Sequence, residues 1–66
     1  MQDKPTVKLT GEDGNVLNVI GKVRQAIQDQ QTPGWKNRRT EFTNRAFNAK
    51  SYDEVLRIAM EYANVE

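Results

Sequence analysis

Gly11-Glu12-Asp13-Gly14-Asn15 separates two stretches of different hydrophobic period, and the way it is read decides the fold. Two glycines three apart suit a chain reversal, since glycine reaches positive φ without a steric penalty and Asp and Asn close local turns through their side chains. Asn15 is also a good N-cap, because its side-chain oxygen can accept from the open N–H groups of a first helical turn. Behind it, Val16, Leu17, Val19, Ile20, Val23, Ala26 and Ile27 recur at the spacing of one helix face, which predicts a helix over about 15–30. The competing reading is a β-hairpin pairing Val7-Lys8-Leu9 with residues 16–20. That second arm reads Val-Leu-Asn-Val-Ile, which fits a helical stripe better than an alternating strand.

On the other side of the block, Thr6-Val7-Lys8-Leu9-Thr10 alternates and is rich in β-formers, so a short extended segment is expected over about 6–10. Residues 1–5 read as a flexible tail closed by Pro5. A lone strand cannot satisfy its own backbone, yet the sequence offers no obvious second strand.

Downstream, Gly21 interrupts the first helix at up to ~1 kcal/mol relative to alanine, which is easiest to understand if another backbone packs close to it. Residues 28–34 form the helix exit, and Thr32-Pro33 has the form of an N-cap followed by proline at the first helical position. A second helix is expected over about 34–48, with Trp35, Phe42, Ala46 and Phe47 facing inward behind a basic outer face. Ser51-Tyr52-Asp53-Glu54 is a capping box. It starts a third helix over about 52–63, whose stripe is Tyr52, Val55, Leu56, Ala59, Met60 and Ala63, widened by Ile58 and Tyr62. Val65 is expected to fold back onto the core. The chain therefore reads as a single, mainly α domain over 1–66, three short helices around one small core with a short N-terminal β segment.

Sixty-six residues lie near the lower limit for one self-sufficient core, at which such domains commonly gain from a disulfide, a metal or a partner. With neither Cys nor His, disulfides, thiol and imidazole catalysis and zinc-finger chemistry are excluded. No apolar run approaches the ~20 residues of a membrane span, and Met1-Gln2-Asp3-Lys4-Pro5 lacks the regions of a signal peptide, so a soluble cytoplasmic protein is expected. The net charge of +1 conceals a gradient. Residues 33–50 carry Lys36, Arg38, Arg39, Arg45 and Lys50 against Glu41 alone, whereas residues 51–66 carry Arg57 against Asp53, Glu54, Glu61 and Glu66.

The run from Val7 to Asn15, followed by Ile20-Gly21-Lys22-Val23 and Ala26, resembles a family of short uncharacterised bacterial and phage proteins. The likeness continues through Gly34-Trp35, Glu41-Phe42, Ala46, residues 51–56, Met60-Glu61-Tyr62 and Val65-Glu66. It covers nearly the whole chain, and the Gly-Glu-Asp-Gly-Asn turn and the C-terminal Tyr-Asp-x-x-Leu helix are its most specific parts. It implies a compact module of phage or mobile-element origin and no chemistry. This sequence departs from the family by about one extra residue over 47–51, and by a basic Lys36-Asn37-Arg38-Arg39 where similar proteins look acidic.

Glu12, Asp13, Asn15 and Asp53 are oxygen donors, but they lack the alternation of a calcium loop and each already has turn or cap chemistry to perform. Gly11 and Gly14 lack the further glycines or Lys-Ser/Thr of a phosphate loop. No carboxylate, lysine or tyrosine pair is spaced as nucleophile and base, so no catalytic residue, metal or cofactor is expected. The candidate binding surface is Trp35, Lys36, Arg38, Arg39, Phe42 and Arg45. Its leading reading is a non-enzymatic protein-interaction or accessory module, with an apolar patch at Trp35 and Phe42 flanked by the arginines. The alternative is a nucleic-acid-binding accessory protein, with phosphate contacts beside an aromatic platform. Against it stand the absence of a recognition motif and a connection longer than that of a helix-turn-helix. Self-association through the thinly covered second helix is the third reading, giving a monomer or weak homodimer.

Overall fold

The computed structural model of the chain describes residues 4–9 and 15–66. In chain order it contains β1 (Thr6–Val7), α1 (Val16–Gln30), α2 (Trp35–Phe47), α3 (Tyr52–Tyr62) and β2 (Asn64–Val65). The turn expected at 11–14, with the oxygen donors Glu12 and Asp13 assigned to it, lies outside the described residues.

Asn15 starts α1 as expected. Its backbone is extended, and the Leu17 backbone N–H donates to Asn15 Oδ1 at 2.9 Å. The hairpin alternative is thereby set aside, because the residues it needed as a second arm are helical. Val19, Ile20, Val23 and Ile27 are the buried positions of α1, the stripe that its periodicity predicts, while Leu17 projects outward. The helix closes at Gln31, a non-glycine residue in the left-handed region at φ 49° whose N–H donates to Gln28 O.

The connection to α2 differs from the expectation at Thr32. Gly34 is the N-cap, with φ 82° and ψ 10°, and the Trp35 N–H donates to Thr32 O at 3.0 Å. Thr32-Pro33-Gly34-Trp35 thus closes a β-turn with proline at its second position and a left-handed glycine at its third, the arrangement of a type II turn. Pro33 shapes this turn instead of opening the helix. The capping box of α3 is present with one shift. Ser51 Oγ accepts from the Glu54 N–H at 3.2 Å, but Glu54 Oε2 accepts from the Lys50 N–H at 3.3 Å, one residue before the cap.

All three helix pairs pack on one another around Val19, Val23, Ile27, Phe42, Ala46, Val55, Ile58 and Ala59. The radius of gyration, 11.0 Å, matches the ~11 Å of a folded chain of this length. Four side chains expected inside are outside: Leu17, Phe47, Tyr52 and Met60, of which Phe47 is 60% exposed and Met60 54% exposed. Phe47 lies five positions after the fully buried Phe42, more than one turn, so the two rings cannot share a narrow stripe. Gly21 also differs. It is exposed, and a Cβ built on it meets no atom of another part of the described chain within 4 Å, so no second backbone packs there.

The missing strand partner is β2. It pairs in parallel with β1, Thr6 opposite Asn64 and Val7 opposite Val65. The ladder extends beyond the strands: the Asn64 N–H donates to Pro5 O at 2.8 Å, Glu66 N–H to Val7 O at 2.9 Å and Leu9 N–H to Glu66 O at 3.0 Å. Parallel strands need a long crossover, and here the whole three-helix body supplies it. Val7 is buried against α1 and Val65 packs at the core's edge, as expected for that residue. Lys4 Nζ donates to Met60 O at 3.1 Å, placing a cation at the negative end of α3.

Candidate interaction surface

The expected surface on α2 divides when its side chains are located. Phe42 is 0% exposed and meets the Tyr62 ring edge to face at a centroid distance of 5.4 Å. It belongs to the core and contributes nothing to a surface patch, which corrects the expectation. Trp35 is half-buried at the margin of the core, with Lys36 Nζ 5.6 Å and the Arg39 guanidinium 5.0 Å from its ring centroid.

The arginines are engaged within the chain. Arg38 reaches back over the type II turn, its guanidinium donating to Pro33 O at 2.9 Å and to Thr32 Oγ1. Arg39 Nη1 donates to Gln28 Oε1 of α1 at 2.7 Å while its plane covers Trp35. Arg45 forms a two-bond fork with Glu61 of α3, at 2.9 and 2.8 Å, and also donates to Tyr62 Oη at 3.2 Å. The Tyr62 hydroxyl in turn donates to Glu41. The basic middle of the chain is therefore tied down within the chain at these three positions, to the preceding turn, to α1 and to the acidic α3.

The electrostatics follow from these contacts. Hydrogen bonding to Arg45 holds the Glu61 carboxyl below its ordinary value, and Glu61 raises the Arg45 guanidinium further above neutrality. Desolvation, followed by the hydrogen bond to Glu41, pushes the Tyr62 hydroxyl up, with Arg45 opposing. These are shifts within a structural network on a partly exposed surface. Among the described residues no buried side-chain nitrogen or oxygen lacks a hydrogen-bond partner, and no group of three carboxylates is arranged to hold a metal ion.

A different surface carries the exposed apolar side chains. Where the start of α1, the end of α2 and the start of α3 converge, an open groove of about 470 Å³ has Ile20, Ala46 and Val55 on its floor and Leu17, Phe47 and Tyr52 on its walls. Leu17 is 57% exposed, Phe47 60% and Tyr52 37%. Lys50 is the one charged side chain among its described lining residues. Sequence reasoning placed Phe47 and Tyr52 in the core stripes and therefore missed this surface. The available signal was surplus: the apolar stripes of the first and third helices are wider than a small core can absorb.

No protein-family model, curated protein or solved structure matches this chain. Among the described residues no helix is long and apolar enough to cross a membrane.

Proposed function

We propose that this chain is a non-enzymatic protein-interaction module that receives a segment of another protein in the groove between Leu17, Phe47 and Tyr52. The observation that carries this reading is the placing of two large, mostly exposed apolar side chains, Leu17 and Phe47, along one groove with the buried Ile20, Ala46 and Val55. Single exposed hydrophobic residues are ordinary on protein surfaces, whereas a concave cluster of them is the usual mark of a binding site. The role as an accessory module of a phage or mobile element is part of the proposal and rests on the family resemblance alone. The internal engagement of Arg38, Arg39 and Arg45 favours this reading over phosphate binding.

Display selection tests it. Panning a library of random peptides on the immobilised protein should enrich a related set of sequences that is lost on a Phe47→Ser protein of unchanged circular dichroism. No enrichment on the unaltered protein, or equal enrichment on both, refutes the groove as the binding site.

A further inference from the structure

The interaction reading leaves the occupant of the groove open, and four features of the groove narrow it. The first is area. Leu17, Phe47 and Tyr52 at their observed exposures offer on the order of 300 Å² of surface. A standard interface takes about 800 Å² from each partner, so this patch is too small for a stable contact between two folded copies of the chain. A single segment of chain suits it.

The second is the backbone. The groove is framed by helix ends, not by a strand edge, and several of their main-chain groups are committed: the Asn15 carbonyl accepts from Asn18 and Val19, the Ser51 carbonyl from Val55, and the Ala49 N–H donates to Ala46 O. The strand pair lies elsewhere, against α1 and α3, and its residues do not line this groove. An extended occupant would bury its own N–H and C=O groups over Ile20, Ala46 and Val55 with no ladder to join. A helix satisfies its main chain internally and presents only side chains.

The third is charge. Lys50 is the single charged side chain among the described lining residues, the last basic residue before the acidic stretch 51–66. A second copy would bring Lys50 towards Lys50, whereas a carboxylate on the occupant would meet the ammonium favourably. The fourth is volume. About 470 Å³ lies in the range of clefts that hold a few buried groups, enough for one or two large side chains.

Resting on the interaction reading above, we infer that the groove takes one amphipathic helix of a partner protein. That helix inserts large apolar side chains one turn apart between Leu17 and Phe47 and sets an acidic residue against Lys50. Two fluorescein-labelled synthetic helices with the same Leu/Phe stripe, one with a glutamate-rich and one with a lysine-rich polar face, are the probes. Fluorescence anisotropy at low salt should show the glutamate helix binding about fivefold tighter or more, the advantage shrinking as salt rises. Lys50→Glu should reverse the preference, and Phe47→Ser, with circular dichroism unchanged, should remove binding of both. Equal binding of the two helices, or tighter binding of the lysine helix, overturns the inference, as does a light-scattering mass of twice 7.6 kDa that Phe47→Ser halves. If display enriches extended or basic sequences, the inference falls and the interaction module stands. If neither display nor either helix binds, both fall.

Discussion

The Arg45 guanidinium on α2 grips the Glu61 carboxylate on α3 through two parallel hydrogen bonds, Nη1 to Oε1 at 2.9 Å and Nη2 to Oε2 at 2.8 Å. Tyr62, next to Glu61, accepts from the same guanidinium and donates to Glu41, one turn before Arg45 on α2. Four side chains thus join the basic helix to the acidic one across the edge of the Phe42–Tyr62 contact. The fork fixes how the two helices sit even though both of its partners remain partly exposed.

That network predicts the pH profile. Glu61 is held below its ordinary 4.5, so its contribution is present above that value and is lost as pH falls through the depressed one. Tyr62 is raised above its ordinary 10.0, so its contribution is complete below 10.0 and is lost as pH climbs beyond it. Thermal midpoints should be flat near neutrality and fall at both extremes. Glu61→Gln should make the acid limb shallower and Tyr62→Phe the alkaline limb. Because the fork is partly solvated, the acid-limb difference should shrink in high salt.

Two phenylalanines on one helix should behave oppositely. Phe42→Ala empties a fully buried position at a cost of ~3–5 kcal/mol, comparable to the roughly 3–10 kcal/mol that holds a domain of this length together. Urea titration followed by circular dichroism should show a largely unfolded chain or a lost cooperative transition. Phe47→Ala should move the midpoint by no more than about 0.5 kcal/mol. Similar losses at the two positions would mean that Phe47 is covered in solution.

Gly21→Ala should stabilise the protein by ~0.5–1 kcal/mol, because the position is helical, exposed and open around the added Cβ. For a domain of this size the thermal midpoint should rise by ~4–8 °C per kcal/mol. A fall would show that something approaches Gly21 in solution, as the sequence alone suggests.

Removing residues 64–66 should take away the partner of β1. At least three inter-segment backbone hydrogen bonds go with it, at a net ~0.5–1.5 kcal/mol each, and Val7 is uncovered. A lower urea midpoint should be accompanied by fast exchange of the Leu9 amide, which donates to Glu66 O in the intact chain. An unchanged midpoint with a still-protected Leu9 amide would refute the pairing.

Trp35 reports on the nucleic-acid alternative. Its ring already carries Lys36 and Arg39, and Arg39 is also bonded to Gln28, so a stacking base would compete with these internal contacts. Titration with duplex and single-stranded nucleic acid should leave its fluorescence unchanged at low and moderate salt. A saturable change that fades with salt would revive phosphate binding and direct mutagenesis to Arg38 and Arg39.

The local signals in the sequence were sufficient for the three helices. Asn15 and Ser51 carry their caps in their own side chains, and the 3.6-residue period of α1 selects its buried face without reference to the rest of the chain. Pro33-Gly34 was legible too, but it is a turn signature, and Thr-Pro resembles a cap closely enough to compete with it.

What the tertiary structure decided is everything that depends on which helix meets which. A stripe states that a side chain can be buried; only packing decides whether there is core enough to bury it. Ile58 and Ala63 were taken into the interior while Leu17, Phe47 and Met60 were left out, and Leu17 and Phe47, with Tyr52 of α3, came to line the groove. The strand partner of Val7 was invisible for a related reason. Asn64-Val65-Glu66 has no alternation to read, and its backbone becomes a strand only because three helices carry it back beside residues 5–9. The arginines were visible as charges, but whether they face solvent or a carboxylate is a matter of distance, and no distance across the fold is written in the order of the residues.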